Sequence, residues 1–158
     1  MQAITLCFIF LYCLLTLLLA WQDATTGLLP DRLTCPLLWS GLLFHLVIQP
    51  ERLATSVLGA MTGYCSLAAL YWLYRGIRHQ EGLGYGDVKF FAALGAWLEW
   101  QKLPMLITLA TGLALLFVCL VTLAQRSGRA LKNPLRFGPF LSAAGLISGW
   151  QSWINLLL

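Results

Sequence analysis

Residues 1–23 read MQAITLCFIFLYCLLTLLLAWQD, and no charged side chain occurs before Asp23. A helix crosses the hydrocarbon core of a bilayer with about 20 apolar residues, so this run is long enough for one crossing. No basic residue precedes it and no clear small-residue cleavage site follows it. It therefore reads as a retained transmembrane helix rather than a removable signal peptide.

The remainder of the chain agrees with its beginning. Of 158 residues, 59% are hydrophobic and 10% charged, against about 25% charged in an ordinary soluble domain. That is too little polar surface to cover a water-exposed globule. The expectation is an all-α, polytopic membrane protein, one transmembrane domain over residues 1–158. Six apolar stretches stand out, at roughly 2–21, 36–49, 53–74, 88–100, 103–124 and 138–157. The second and fourth are short, so either their ends extend into the flanking motifs or they enter the membrane without crossing it.

The connections between them carry the charge. Counting Lys89 with the third, the first, third and fifth hold Arg32, Arg75, Arg78, Lys89, Arg126, Arg129, Lys132 and Arg136, whereas the second and fourth hold only Arg52 and Lys102. With six alternating spans, the basic side is cytoplasmic and both termini face the periplasm. The loop from Arg126 to Arg136 reads as a topogenic loop that meets anionic lipid; no nucleic-acid partner is expected. Cys7, Cys13, Cys35, Cys65 and Cys119 form no Cys-x-x-Cys motif and read as small apolar packing residues. His45 and His79 are isolated, so no metal site and no cofactor are expected. The seven tryptophans suit an interfacial belt.

Only six acidic residues occur: Asp23, Asp31, Glu51, Glu81, Asp87 and Glu99. Glu51 and Glu99 flank short outer turns and Glu81 sits in a polar loop, where solvation accounts for them. Asp23 ends the first span, Asp31 lies in Leu28-Leu29-Pro30-Asp31-Arg32, and Asp87 opens the fourth span. Singly, each has a bland reading: Asp23 as an interfacial residue, Asp31 and Asp87 as helix N-caps. Together, Asp23 and Asp87 lie at one membrane face beside hydrocarbon, where an ionisable group is costly and marks function. Two carboxyls brought together in a low-dielectric place share a proton near neutral pH. The ionised member can activate a water and the protonated member can donate to a peptide carbonyl.

Immediately before Asp87 comes Gly82-Leu83-Gly84-Tyr85-Gly86. Three alternating glycines permit positive φ or the close approach of another backbone. No strand precedes them and no Gly-Lys-Ser/Thr follows, which removes a phosphate-binding loop. Lys89 lies about 200° round a helix from Asp87, so it does not pair with it directly. It either reaches lipid phosphate or biases the charge of the dyad. Gly138 and Pro139 start the sixth span, and Ser142, Ala143, Ala144 and Gly145 provide a small face for helix packing.

These residues resemble a known family. Gly84-Tyr85-Gly86-Asp87-Val88-Lys89 is similar to the Gly-x-Gly-Asp signature of the type IV prepilin peptidases, which are intramembrane aspartic proteases. Asp23, eight residues before Asp31 of Leu-Leu-Pro-Asp, resembles the family's other aspartate motif. Phe137-Gly138-Pro139-Phe140 is similar to its Pro-Phe-Gly-Pro-like segment, with Arg136 where a proline is often found. The resemblance implies that Asp23 and Asp87 are the catalytic pair and that Gly84, Tyr85, Gly86 and Lys89 belong to an active-site loop. Asp31, Gly138 and Pro139 would support it. The implied substrate is a prepilin or pseudopilin, with a short basic leader cut after a glycine and before a hydrophobic helix. Bifunctional members carry paired Cys-x-x-Cys motifs linked to methylation of the new N-terminus. Those are missing here, so peptidase chemistry without S-adenosylmethionine is expected. The alternatives are a preflagellin-type peptidase, a non-catalytic membrane subunit that binds pilin-like leaders, and a small transporter.

Overall fold

The computed structural model describes residues 2–78, 84–125 and 136–157. His79, Glu81, Gly82, Arg126, Arg129 and Lys132 lie outside the described residues. The described residues form six helices: α1 (Gln2–Thr26), α2 (Asp31–Ile48), α3 (Leu53–Arg78), α4 (Tyr85–Leu98), α5 (Leu103–Gln125) and α6 (Gly138–Leu157). Short 3-10 turns, Pro50–Arg52 and Trp100–Lys102, lead into α3 and α5. No strand occurs among the described residues. Both short stretches lengthen at their N-terminal ends, α2 back to Asp31 and α4 back to Tyr85. Their starts therefore fall inside the aspartate motifs.

Three segments, Gln2–Thr26, Pro50–Arg78 and Trp100–Leu123, are long and apolar enough to cross a membrane. The fourth helix is different in kind. Its 14 residues rise only about 21 Å, short of the roughly 30 Å hydrocarbon core. Every residue from Phe90 to Leu98 is buried, because α2, α3 and α6 all pack against α4. It is the axis of the molecule, and its neighbours screen it from lipid. By contrast Leu6, Phe10, Leu17, Leu115, Leu120 and Leu123 point outward, as lipid-facing side chains do.

Close approach to α4 is made by glycine. A Cβ on Gly59 of α3 would overlap the Gly95 carbonyl, and one on Gly95 would overlap the Gly59 carbonyl. Backbones this near also exchange a side-chain bond, Ser56 Oγ donating to the Ala96 carbonyl at 2.5 Å. Small residues at a helix crossing are what van der Waals packing in lipid requires. The small face anticipated on α6 is also used: Ser142, Ala144 and Gly145 are buried, and Ser142 Oγ donates to the Thr16 carbonyl at 3.1 Å.

Two expectations need correction. Trp97 and Trp153 are not interfacial: Tyr12 packs against both with ring centroids 4.8 Å away, and Phe44 stacks on Trp97 at 5.2 Å. Trp97 Nε1 donates to the Leu37 carbonyl at 2.8 Å, which satisfies its one polar atom inside the core. The cysteines are not core packing either. Cys7, Cys35, Cys65 and Cys119 are exposed and Cys13 is half-buried, so most of them face the apolar surroundings.

Candidate active site

The C-terminal end of α1 is shaped by its own sequence. Gly27 adopts φ 69°, a left-handed conformation open to glycine, and its N–H returns to the Asp23 carbonyl at 2.9 Å. This bond closes the helix and leaves Asp23 in the last turn, only 5% exposed. The chain then turns through Leu28 and Leu29 to Pro30, the N-cap of α2.

The first turn of α4 approaches from the other side. Gly84 is its N-cap, with extended backbone, and Asp87 N–H donates to the Gly84 carbonyl at 3.0 Å. Asp87 is therefore three positions into the helix and not the cap itself, which corrects the bland reading of that residue. Its side chain is 7% exposed and Oδ1 has no hydrogen-bond partner among the described residues. The glycines serve proximity rather than unusual torsion. A Cβ on Gly86 would come within 2.8 Å of Leu29 Cβ, so the missing side chain lets the turn after α1 lie over the start of α4. Gly84 has an ordinary φ of −68°, and among the described glycines only Gly27 has positive φ.

A third element closes the site. Gly138, the first residue of α6, donates its backbone N–H to Asp23 Oδ2 at 2.9 Å. A Cβ there would lie 2.7 Å from Oδ2 and 2.8 Å from Asp23 Cγ. The two preceding residues complete the join: Arg136 Nη1 donates to the Ala24 carbonyl at the exposed rim, and the Phe137 carbonyl accepts from Phe140 and Leu141 N–H at 3.1 Å. Arg136, which stands in the place of the familiar proline, thus caps the free carbonyl end of α1, where positive charge is favoured.

The two carboxyls sense each other. Burial, and after it the negative charge of Asp23, raise the Asp87 carboxyl from 3.8 to about 7, with the Gly84 backbone working against both. At neutral pH Asp87 therefore sits near half-protonation.

Asp31 and Lys89 take up roles that sequence spacing did not expose. Asp31 is in the first turn of α2 rather than its cap, and Lys89 Nζ donates to both of its carboxylate oxygens, at 2.7 and 2.9 Å. The pair joins α2 to α4 beside Asp87. The Lys89 ammonium also lies 5.5 Å from the centre of the Tyr85 ring, and the Tyr85 hydroxyl meets that of Tyr64 from α3. Pro139 follows Gly138 at the start of α6, where its missing N–H costs nothing. Glu99, assigned to solvation alone, instead accepts from Thr55 Oγ1 at 2.6 Å and pairs with Arg52 at 3.5 Å.

Comparison with known proteins bears on this arrangement. A family model described as the type IV leader peptidase family matches residues 9–120. The chain is 57% identical over 148 residues to "Leader peptidase HopD" of Escherichia coli, covering 94% of this chain and 95% of that protein. Identity to the Salmonella typhimurium protein of the same name is 53% over 151 residues, covering 94% and 95%. It is 43% identical over 151 residues to "Prepilin leader peptidase/N-methyltransferase" of Aeromonas salmonicida, covering 91% of this chain but only 49% of that longer protein. No solved structure matches significantly.

Proposed function

Because this chain belongs to the type IV leader peptidase family, we propose that it removes the basic leader from type IV prepilins or pseudopilins, cutting after glycine, with Asp23 and Asp87 as its catalytic pair. The single observation that carries this reading is the burial of two carboxyls on different helices, Asp23 of α1 at 5% and Asp87 of α4 at 7% exposure. Residues 1–158 act as one transmembrane peptidase domain of the bacterial inner membrane. The distribution of basic residues favours a cytoplasmic site and periplasmic termini.

In this mechanism ionised Asp23 takes a proton from water as the water oxygen attacks the scissile carbonyl carbon. Protonated Asp87 donates to the carbonyl oxygen, giving a neutral tetrahedral diol. On collapse Asp23 passes its proton to the departing amide nitrogen, the C–N bond breaks, and a diol hydroxyl returns a proton to Asp87. Both carboxyls end as they began. The Gly138 N–H, held 2.9 Å from Asp23 Oδ2, keeps the base in one orientation throughout.

The test is cleavage of a purified prepilin in detergent by wild type, Asp23→Asn and Asp87→Asn, each checked for folding. Cleavage after glycine by wild type and loss of at least about 1,000-fold in both variants is the expected result, since removing one partner of a catalytic unit removes most of its effect. Cleavage retained by Asp23→Asn sinks the assignment and passes the role to Asp31. A wild type that binds several prepilins without cutting them favours a non-catalytic subunit, and one that cuts only preflagellins redirects the substrate.

A further inference from the structure

The turn that carries Asp87 has little of its own to hold it. It is the first turn of α4, whose leading N–H groups have no acceptor within the helix. Glycine stands on either side of Tyr85 there, and glycine loses more backbone freedom on ordering than any other residue. Asp87 is nevertheless buried. What fixes the turn lies behind it. Successive helical residues rotate by about 100°, so Tyr85 and Lys89 both stand about 200° round from Asp87 and about 40° from each other. Lys89 is tied to Asp31 of α2. Tyr85 is gripped by α3: its hydroxyl meets that of Tyr64, and its ring meets the Tyr71 ring edge-on with centroids 5.3 Å apart. Tyr64 and Tyr71 are about two helical turns apart, so both reach Tyr85 from one face of α3. Tyr71 is itself buried, with its hydroxyl accepting from Arg75 Nη1 at 2.9 Å.

The way α3 meets α4 changes along their length. Their backbones touch at Gly59 and Gly95, and a Cβ on Gly63 would still come within 3.2 Å of the Phe91 carbonyl. Nearer the start of α4 the contact passes to tyrosine rings. We propose that Tyr64 is a positioning residue for the catalytic pair: with the Tyr71 ring beside it, it clamps Tyr85 from behind and holds the first turn of α4 where Asp87 is buried. This rests on the peptidase reading above and adds what keeps one member of the pair in place. The clamp does not touch the substrate. It acts through the α4 backbone, on the side of the helix turned away from Asp87.

Two measurements on the full chain in detergent test it. The first needs no turnover. Amide hydrogen exchange is followed by mass spectrometry in wild type, Tyr64→Phe, Tyr85→Phe and the double variant. Phenylalanine keeps each ring and removes only the hydroxyl bond. In either single variant, exchange over Tyr85–Val88 should quicken about tenfold, the scale of one lost hydrogen bond, while Phe90–Leu98 keeps its protection. The double variant should be no faster than the singles, because both substitutions remove the same bond. Unchanged exchange, or a rise spread evenly along α4, overturns the proposal. The second measurement is cleavage of purified prepilin. For Tyr64→Phe, kcat should fall by a similar factor at unchanged KM. An unchanged kcat overturns the proposal, and so does a rise in KM alone, since the ring would then be binding substrate. Tyr74→Phe, exposed on the same helix, should alter neither exchange nor kcat; an effect equal to that of Tyr64→Phe counts against the clamp. A wild type that cuts no prepilin while exchange responds as stated would instead refute the peptidase reading and leave the clamp standing.

Discussion

Substituting Gly138 by alanine is the sharpest perturbation the site offers. The new Cβ would lie 2.7 Å from Asp23 Oδ2 and 2.8 Å from its Cβ and Cγ, below any ordinary carbon contact. These are atoms of a short, buried side chain, so either Asp23 rotates away or the start of α6 lifts. Both outcomes break the 2.9 Å N–H bond to Oδ2. Losing a hydrogen bond to a charged group costs about 1.5–3 kcal/mol, and misplacing a catalytic group by about 1 Å costs about 100-fold, close to 2.7 kcal/mol at 1.36 kcal/mol per decade. The expected result is a fall of about 100-fold in kcat/KM on purified prepilin, carried by kcat. Stability should fall by about 0.5–2 kcal/mol, because the better helix propensity of alanine, up to about 1 kcal/mol, offsets only part of the lost bond. Gly112→Ala is the control, since nothing among the described residues lies within 4 Å of its added Cβ, and it should leave the rate unchanged. A Gly138→Ala enzyme with wild-type kcat would refute the argument that Asp23 works from the position seen here.

Further outcomes can be checked alongside it. With Asp87 raised to about 7 and acting as the acid, kcat/KM should fall about tenfold per pH unit above that value as its proton is lost; a flat profile from pH 6 to 9 would exclude that role. The same shift has a stability consequence with a definite sign. Between 3.8 and about 7 the folded protein holds a proton on Asp87 that the unfolded chain releases, so stability should decline as pH rises through that window, which denaturation in detergent at several pH values would detect. Gly59→Ala or Gly95→Ala forces α3 and α4 apart at their tightest crossing and should destabilise by about 2–3 kcal/mol, read as a drop in Tm. Asp31→Asn should keep most of the cleavage rate and lose less than about 1 kcal/mol of stability, because its carboxylate is 60% exposed and pairs with the partly exposed Lys89; inactivation comparable to Asp23→Asn would show that Asp31 has a direct role.

Much of this protein is legible in one dimension. Six helical stretches follow from apolar run length, because hydrocarbon admits a chain segment only if its backbone bonds are satisfied within it. The helix starts were less legible: Asp31 and Tyr85 begin helices within motifs that look like loops, since glycine and proline mark the N-terminal end of a helix as readily as a turn. The acids were found because there are so few of them, and a charge beside an apolar run is conspicuous. Their environment was another matter. That Asp23 is held by Gly138, 115 residues away, and Lys89 by Asp31, 58 residues away, depends on how helices cross. Composition cannot separate Trp97 in the core from Trp100 at the surface, although their exposures are 4% and 48%. The difference is that Trp97 lies in α4, which α2, α3 and α6 surround, whereas Trp100 lies in the 3-10 turn beyond its end. Sequence alone determined that the chain belongs in a membrane and which few carboxyls could do chemistry there, because solvation energy is a property of the residues themselves. Tertiary structure alone decided that Asp87 is near half-protonation at neutral pH and that Asp31 is already paired, because a carboxyl's proton affinity is set by the neighbours that packing brings to it.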